Sequence, residues 1–404
     1  MFLLARFGPA AVTFPAKESL LTLTTSLDRE DHQLEELVSK FWLMEEITVV
    51  DDLPENEFEQ IFETTHSRIS YDRYMIQLPF RRKATELRDS YTLALQQFHR
   101  LERRTVADPV LRENYTSFMR EYAALDHMEI VQPPYNHTNC YYIPHHAVTA
   151  KFRVVFNASA PTSTGISLND VQLVGPTLQD SLSSILLHFR RYRLAITADI
   201  EMFRQVLVAP SQLSTDYMES PGNDIRVYRL KTITHGMACS PYNAVRTLQQ
   251  CAYDNSAVVS DLQQAARART AILISFYVDD FLTSCESVTD AVELATNVDA
   301  ILSAGKFSLR KWNSNDSQVM MRLPNESSLS SYIFHPGEAS VLSLRWDALS
   351  DQLFFRVDLR QRGEIPTKRR VLNEVARLLD PTGLLSPVIV TGIIFIQRLC
   401  DTFT

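Results

Sequence analysis

Glycine is scarce in this chain, with 10 residues among 404. Neither the GxGxxG pattern nor the GxxxxGKS/T pattern occurs, and these are the glycine-rich loops that hold nucleotide phosphates against backbone N–H groups. A glycine-rich phosphate loop is therefore excluded as the carrier of any chemistry on nucleotides.

Cysteine is also sparse, and the five cysteines are widely spaced and include no CxxC pair. This pattern argues against a disulfide framework or a structural zinc site and favours a reducing compartment. The apolar run "VIVTGIIFIQ" near residue 390 is about half the length of ~20 residues that a membrane span needs. The N-terminal run "MFLLARFGPA" is broken by Arg6 and is too short for a signal peptide. We therefore expect a soluble intracellular protein without membrane partners.

The formal net charge of −8 is unfavourable for a nucleic-acid-binding protein, because contact with phosphates needs lysine and arginine on the binding face. A basic cleft can nevertheless coexist with acidic outer faces. Three local clusters of positive charge could line a duplex channel or could be exposed helix ends: Arg81, Arg82 and Lys83; Arg190, Arg191 and Arg193; Lys368, Arg369 and Arg370.

The apolar periodicity predicts a mixed α+β fold. Helical spacing covers residues 32–47, and a long helical region covers residues 85–126 with an interruption near Pro109. "YYIPHHAV" and "KFRVVFNAS" read as two strands of a hairpin. Between Leu194 and Trp312 the order is strand, helix, hairpin, helix, strand, with the strand "VYRLKTIT" inserted and Gly305 ending the last helix. This order is close to the split βαβ arrangement.

The stretch "ILISFYVDDFLTSCES" places Asp279 and Asp280 at the turn of an otherwise apolar hairpin, and Asp199 ends the strand "LAITAD". A split βαβ sheet would bring these carboxylates to one sheet face, where they repel one another unless a cation lies between them. Two Mg²⁺ ions would neutralise them and could serve phosphoryl transfer. The structural alternative is that aspartate is common at turns, but burying acids between apolar strands without a partner is costly.

Several boxes of the sequence resemble, in the same order, the reverse transcriptase region of BEL/Pao-class long-terminal-repeat retrotransposons. They are "YYIPHHAV", "KFRVVFNASAPTSTGISLNDVQLVGP", "ADIEMFRQV", "HGMACSPYNAVRTLQQ", "YVDDFLTSC", "GKFSLRKWNSN" and "LLDPTGLLSP". The resemblance covers roughly residues 35–400 and includes the YxDD box of reverse transcriptases. It implies a right-hand polymerase fold with a ferredoxin-like (split βαβ) palm, mixed fingers and a helical partial thumb or connection.

Carried over residue by residue, the resemblance implies a set of site residues. The ligands of two Mg²⁺ ions, which Mn²⁺ can replace, would be Asp199, Asp279, Asp280 and the carbonyl of Ile200. The nucleotide-binding residues would be Lys151, Arg153, Phe203, His235 and Gly236. The template and primer contacts would be Ser240, Pro241 and Tyr277, and Lys311 would protonate the leaving pyrophosphate.

Some of these residues have a plain structural alternative. Arg153 suits an exposed strand position, Phe203 suits a core, and Lys311 suits a solvated strand end. The pair His145-His146 could look like metal ligands, but adjacent histidines rarely share one ion, so we interpret the pair as structural.

The resemblance also divides the chain. Its parts would be a leader (1–30), an N-terminal helical segment associated with the fingers (31–135), fingers (136–193), palm (194–330), and partial thumb or connection (331–404).

The sequence departs from the family pattern at several positions. "DIEMF" leaves three residues between Asp199 and Phe203 where the family has four, so Met202 or Arg204 would face the sugar instead. Asn157 stands where the family has an aspartate, and the fingers hairpin is shortened. A catalytically impaired remnant, or a retained nucleic-acid-binding or assembly protein, is therefore the alternative to an active RNA-directed DNA polymerase.

The partners implied are an RNA or DNA template with its primer, and dNTPs. The resemblance also leads us to expect protease, RNase H and integrase parts of the same polyprotein, although no protease box, RNase H carboxylate set or zinc-bearing integrase segment is evident here. The expected location is a cytoplasmic virus-like particle if the element is active.

Overall fold

The computed structural model describes residues 55–69, 72–133, 140–149, 152–200, 205–209, 214–219, 225–323, 338–341, 344–354, 367–376 and 385–401, with residues 378, 380 and 383. The helix predicted at residues 32–47 lies outside these residues, as do Lys151 and Phe203. The chain divides into two units: a central unit of residues 54–330 and a flanking unit of residues 1–53 and 331–404. Among the described helices, none combines the length and apolar character required to span a membrane.

Helices and strands are mixed along the central unit, as expected for an α+β chain. Its helices are α1 (Glu55–Thr65), α2 (Tyr91–Ala107), α3 (Pro109–Ala124), α4 (Leu168–Val171), α5 (Leu182–Phe189), α6 (Ser240–Asn255), α7 (Leu262–Ile274), α8 (Val288–Ala304) and α9 (Ser317–Met320). Its strands are β1 (Ser67–Arg68), β2 (Tyr74–Ile76), β3 (Met128–Val131), β4 (Cys140–Tyr142), β5 (His145–Val148), β6 (Arg153–Phe156), β7 (Leu194–Ile200), β8 (Leu207–Val208), β9 (Ser214–Glu219), β10 (Arg226–Leu230), β11 (Phe276–Tyr277), β12 (Asp280–Cys285) and β13 (Leu309–Ser314).

The long helical region is interrupted at the position that Pro109 predicted. Asp108 ends α2 and also caps α3, where its side chain accepts a hydrogen bond from the Leu111 N–H at 3.0 Å. Pro109 occupies the first turn of α3, where its missing N–H leaves no helical bond unmade. α2 and α3 each bury one face, which includes Phe98 and Tyr115.

The central unit contains the hairpin β5–β6 and two further small sheets. β5 and β6 pair antiparallel, which confirms the predicted hairpin. A sheet of order β3-β10-β9-β4 includes β10, which comes from the segment "VYRLKTIT". This strand was predicted as an insertion within the split βαβ segment, and the structure pairs it with β3 and β9 rather than with the acidic strands. A further sheet has the order β1-β2-β8.

The acidic strands form a sheet of order β11-β12-β7-β13, in which every neighbouring pair is antiparallel. The chain visits them as β7, helices α6 and α7, the hairpin β11–β12, helix α8 and β13. This is the strand order of the split βαβ motif, as the sequence predicted. β7 is buried at every position except Asp199, and Ile196 and Phe281 of the sheet share one core cluster with Val298 of α8.

Local sequence signals set the ends of the helices around this sheet. Asp261 caps α7 by accepting hydrogen bonds from the N–H groups of Gln263 and Gln264, and Ser287 caps α8. Gly305 is the C-cap residue of α8, as predicted.

The four cysteines whose side chains the structure describes, Cys140, Cys239, Cys251 and Cys285, are free. Burial raises the pKa of the Cys251 thiol to about 12, so this thiol stays protonated and inert at neutral pH.

The flanking unit contains a small sheet and a helix pair. Its elements are β14 (Glu338–Val341), β15 (Leu344–Asp347), β16 (Gln352–Phe354), α10 (Lys368–Ala376) and α11 (Ser386–Asp401). The sheet has the order β14-β15-β16 and is antiparallel. α10 and α11 pack closely at Gly392, where an added Cβ would lie 2.9 Å from a methyl carbon of Val375.

Candidate functional site

Two acidic residues of the predicted site face each other in the sheet. Asp280 is the first residue of β12 and lies directly opposite Asp199 of β7 in the antiparallel register. Because side chains of directly paired residues lie on the same face of a sheet, the two carboxylates share one face. Asp279 directly precedes Asp280 and lies in the two-residue turn that joins β11 to β12. The fold therefore brings the acidic box and the end of β7 together, as the sequence predicted.

The turn of the hairpin is tied to the end of β7 through the backbone. The Ile200 N–H donates a hydrogen bond to the Asp279 carbonyl at 2.9 Å. Val278, the other turn residue, has φ +49°, a left-handed conformation that a β-branched residue adopts at a strain of roughly 1–3 kcal/mol. The surrounding contacts must therefore hold this turn in place.

Lys311 reaches the same end of the sheet from β13. The register of β13 against β7 shifts between Arg310 and Asn313, and Lys311 has φ +52° in this irregular segment. Its ammonium group forms an ion pair with a carboxylate oxygen of Asp199. This bulge gives the Lys311 side chain a direction that differs from the regular alternation of a strand. The positive charge of Lys311 therefore lies beside the acidic pair.

The donor chemistry of the site suits a divalent cation. Carboxylate and carbonyl oxygens are the ligands that Mg²⁺ and Mn²⁺ prefer, and Asp199, Asp280 and the carbonyl of Ile200 lie at the adjoining ends of two strands. Within the described part of the chain, however, no group of three or more His, Cys, Asp or Glu side chains is arranged to hold a metal ion. The facing carboxylates of Asp199 and Asp280 nevertheless offer the oxygen donors that suit such a cation.

A glutamine that the sequence analysis did not single out contacts the hairpin. The Gln179 side chain donates to the Phe276 carbonyl at 3.2 Å and accepts from the Val278 N–H at 3.2 Å. It spans Tyr277, which is half-buried and lies opposite Asp280. A single glutamine in a turn-rich segment has no periodic signal, so only the structure identifies it.

The predicted nucleotide-binding loop at His235 and Gly236 lies between β10 and α6. Gly236 has φ +104°, and a Cβ there would lie 2.2 Å from the Phe156 carbonyl oxygen at the end of β6. Asn169 fixes this loop from the other side, because its amide donates to the Gly236 carbonyl at 3.0 Å and accepts from the Ala238 N–H at 2.9 Å. His235 is exposed beside it.

The remaining predicted contacts differ in accessibility. Arg153 is exposed at the first position of β6, about 10 Å along the strand from Phe156 at ~3.3 Å per residue. Pro241 is exposed in the first turn of α6, whereas Ser240 is 1% exposed and its hydroxyl donates to the Thr234 carbonyl at 2.8 Å. Any contact with a template at this position therefore falls to Pro241 rather than to the Ser240 hydroxyl.

Two of the three basic clusters lie at exposed positions of the central unit. Arg190, Arg191 and Arg193 are exposed in the loop between α5 and β7. Arg193 precedes Asp199 by six residues, which is about 20 Å along an extended chain at ~3.3 Å per residue. Arg81 is also exposed, and its guanidinium donates to the Asp170 carbonyl at 2.8 Å. The side chains of Lys368, Arg369 and Arg370 lie outside the described residues.

The chain was compared with protein-family models, curated sequences and solved structures. Residues 367–403 match the model described as "Pao retrotransposon-like RNaseH-like domain". This match confirms the resemblance to BEL/Pao-class retroelement polyproteins, and it falls on the segment that we interpreted as a partial thumb or connection. No RNase H carboxylate set is evident in the sequence of this segment, so the RNaseH-like description adds to that interpretation. A search of curated protein sequences gave no match.

The two solved structures are both protease-reverse transcriptases of foamy viruses. The selenomethionine-labelled CSH mutant of the prototype foamy virus enzyme is 13% identical, with a TM-score of 0.37, and the match covers 71% of this chain and 31% of that one. The foamy viral enzyme in complex with an RNA/DNA hybrid is 13% identical, with a TM-score of 0.48, and the match covers 95% of this chain and 44% of that one. The chain thus spans less than half the length of either.

Proposed function

We propose that this region of a BEL/Pao-class retroelement polyprotein is an RNA-directed DNA polymerase domain that adds nucleotides to a primer. The observation that carries the proposal is the register of Asp199 opposite Asp280 at one end of a split βαβ sheet. Aspartates that only stabilise a turn would not need a facing carboxylate on another strand. Two facing carboxylates repel each other, so they do not stabilise a purely structural hairpin.

The carboxylates of Asp199 and Asp280, with the carbonyl of Ile200 and the neighbouring Asp279, would hold two Mg²⁺ or Mn²⁺ ions. Such ions, when bound, supply charge stabilisation for the transferring phosphoryl group and activation of the primer 3′-hydroxyl. The chain's own part is to fix the acids at adjoining strand ends, because the Asp279 carbonyl is bonded to the end of β7.

The reaction would join the primer 3′-oxygen to the α-phosphorus of a dNTP and break the bond to the pyrophosphate leaving group. The Lys311 ammonium is placed beside Asp199, where its Nζ can give a proton to the leaving pyrophosphate oxygen. Arg153 of β6 would bind the triphosphate, together with Lys151. His235 and Gly236 would support the nucleotide from the loop that Asn169 holds.

The domain arrangement follows from these roles. Residues 136–193 would be the fingers, residues 194–330 the palm, and residues 331–404 a partial thumb or connection, preceded by a leader (1–30) and a helical segment (31–135). Pro241 and Tyr277 would contact the template and primer, and Phe203, or Met202 or Arg204 in its place, would contact the sugar. The expected partners are a primed RNA or DNA template and dNTPs in a cytoplasmic virus-like particle.

The second candidate is a protein of this fold that binds nucleic acid without adding nucleotides. The observation that favours it is that the described residues hold no group of three metal-binding side chains, together with the shortened "DIEMF" box. It predicts salt-dependent binding of primer-template, because phosphate contacts release counterions, and no change in primer length.

Primer extension on an oligo-dT-primed RNA template distinguishes the two candidates. The purified chain is compared with Asp279→Asn/Asp280→Asn, in Mg²⁺ and in Mn²⁺. Glu286→Gln is the matched control, because Glu286 is an exposed acid directly after the other end of β12. The polymerase proposal expects extension by the wild type and the control but not by the double variant. Binding of primer-template without extension by any of them would refute it and support the binding protein.

A further inference from the structure

The Gln179 side chain forms hydrogen bonds with the edge of the acidic hairpin, as the backbone of a neighbouring strand would. Its side-chain amide donates to the Phe276 carbonyl and accepts from the Val278 N–H, both at 3.2 Å. Only one orientation of the amide satisfies both groups, because a carbonyl can only accept and a backbone N–H can only donate. The side chain therefore reproduces the hydrogen bonds of one peptide group of a strand.

The bonds to Gln179 are made on the side of β11 that has no strand partner in this sheet. β11 is the last strand in the order β11-β12-β7-β13, and it contains only Phe276 and Tyr277. Tyr277 pairs with Asp280 across the hairpin. The polar groups of residues 276 and 278 point the opposite way, since backbone groups alternate along a strand. Among the described strands none pairs with this edge of β11, and Gln179 makes the hydrogen bonds that such a strand would make.

One of the two hydrogen bonds of Gln179 is made to the strained turn of the hairpin. Val278 has φ +49° and is followed directly by Asp279 and Asp280. A short edge strand with unpaired outer groups opens easily, and the backbone of the turn would then relax towards an ordinary conformation. A bond to the Val278 N–H holds this residue in the conformation that places the two acids.

The position of Gln179 is itself fixed by the element that packs on β12. It lies two residues before Ser181, which caps α5 by accepting from the Ser184 N–H at 3.2 Å. α5 packs against β12, and the Ser284 hydroxyl of that strand donates to the His188 carbonyl of α5 at 2.8 Å. The glutamine therefore reaches β11 from a helix that is anchored on the acidic strand.

We propose that Gln179 is a positioning residue that holds the backbone of the acidic hairpin so that Asp279 and Asp280 face the end of β7. It acts through the hairpin backbone and not on substrate. The catalytic consequence rests on the polymerase function proposed above, whereas the structural consequence does not.

The test combines two measurements on the full chain. The variants are Gln179→Met, which keeps length but removes both polar groups, and Gln179→Asn, which keeps the amide but is too short to span Tyr277. Asp180→Asn is the matched control, because Asp180 is the exposed neighbour of Gln179. Hydrogen–deuterium exchange is followed on peptides that cover residues 275–282, and single-nucleotide incorporation gives kcat and KM for dTTP.

The proposal expects exchange at the hairpin to become at least 10-fold faster in both Gln179 variants, with exchange in β7 and the melting temperature close to the wild-type values. It expects kcat to fall about 10- to 100-fold, as for a reacting group displaced by ~1 Å, while KM changes little because Arg153 and the His235 loop are untouched. The control should match the wild type in every measurement.

The outcomes separate this proposal from the polymerase function. Unchanged hairpin exchange in both Gln179 variants overturns the positioning role whether or not the chain is active. Faster exchange with wild-type kcat overturns the catalytic consequence. If the wild type itself adds no nucleotide, the polymerase proposal fails, and the exchange measurement still decides whether Gln179 holds the hairpin. If Gln179→Met does not fold, the milder Gln179→Asn decides.

Discussion

Asp280 lies directly opposite Asp199 across the antiparallel strands β12 and β7. Like charges in this position destabilise a sheet, and the largely exposed ammonium of Lys311 forms an ion pair with Asp199. The function proposed above assigns the two facing acids to the binding of divalent cations. The stability of the chain should therefore respond to the acids and to divalent cations in opposite ways.

Asp280→Asn should stabilise the chain when divalent cations are removed. The variant relieves a cross-strand repulsion of roughly 0.2–1 kcal/mol, so its free energy of unfolding in EDTA should exceed that of the wild type by about this amount. Mn²⁺ should raise the free energy of unfolding of the wild type, because a ligand of the folded state stabilises it, and should have a smaller effect on the variant. Urea unfolding with EDTA or MnCl₂ measures both effects.

The control for this experiment is Glu286→Gln, which removes an exposed negative charge near the other end of β12. It should leave both the stability in EDTA and the response to Mn²⁺ at wild-type values. A variant Asp280→Asn that is less stable than the wild type in EDTA would show that Asp280 has a structural role, and the repulsion argument would be wrong.

Lys311→Met should strengthen the binding of Mn²⁺ while slowing nucleotide addition. The ammonium of Lys311 competes with a metal ion for the Asp199 carboxylate, so its removal should lower the Kd for Mn²⁺ severalfold. As an acid that protonates pyrophosphate, Lys311 should contribute a factor of roughly 10²–10⁴ to kcat. The urea midpoint should hardly change, because an ion pair with a Lys311 side chain 77% exposed contributes little to stability.

Isothermal titration with Mn²⁺ and single-turnover incorporation measure the two effects of Lys311→Met. Arg322→Met removes an exposed positive charge elsewhere in the central unit and should change neither. Weaker Mn²⁺ binding by Lys311→Met would mean that the lysine supports the acidic pair rather than competing for it.

The topology of the acidic sheet could be predicted from the sequence because it depends on local signals in chain order. Apolar runs, the adjacent aspartates and Pro241 in the first turn of α6 mark the elements, and the split βαβ motif then permits few arrangements. The partner strands of β10 could not be predicted in this way. Its alternating pattern indicates a strand with one buried face, but no local signal says which of two sheets that strand joins.

The contacts that shape the candidate site could not be predicted, because they join residues far apart in sequence. Gln179 binds Val278 across 99 residues, and such side-chain bonds to backbone leave no periodic trace. The bulge at Lys311 was equally hidden, since its φ of +52° occurs at a residue type that carries no turn signal. Gly305 was predicted correctly as a cap, yet its φ is −99°. What requires glycine there is space, because a Cβ would lie 2.4 Å from Cys251 Sγ.

Acid should unfold the chain partly through His145. This residue is 3% exposed and its ring bonds the Tyr115 hydroxyl at 2.8 Å. Burial lowers the pKa of His145 to about 4, and the neighbouring His146 adds to the effect. The unfolded chain, with an ordinary histidine pKa of about 6.5, therefore binds more protons between these values. The stability that His145 contributes is present above pH 6.5 and is lost as the pH falls towards about 4, by roughly 3 kcal/mol in total.

Urea unfolding from pH 7.5 to pH 4.5 measures this loss. His145→Gln should flatten the pH dependence, even if the variant is less stable at pH 7.5, because glutamine does not titrate. His146→Gln is the matched control, since His146 is the exposed neighbour on the other face of β5, and it should keep most of the slope. An equal slope in His145→Gln and the wild type would assign the acid sensitivity to other groups.

Gly236→Ala should destabilise the chain and disturb the predicted nucleotide-binding loop. Gly236 has φ +104°, and a Cβ would lie 2.2 Å from the Phe156 carbonyl oxygen, so alanine adds a clash with backbone to an unfavourable conformation. Gly165→Ala is the matched control, because Gly165 has φ +79° with open space around the added Cβ. The control should lose about 1 kcal/mol of stability, the conformational part alone, whereas Gly236→Ala should lose roughly 2–4 kcal/mol. Equilibrium unfolding in urea gives the difference between the two variants.

Since Asn169 holds the Gly236 carbonyl and the Ala238 N–H, the clash should also move His235, and KM for the nucleotide should rise in Gly236→Ala but not in Gly165→Ala. Equal losses of stability in the two variants would mean that the loop yields to the added methyl group, and that its close packing on β6 does not define the site.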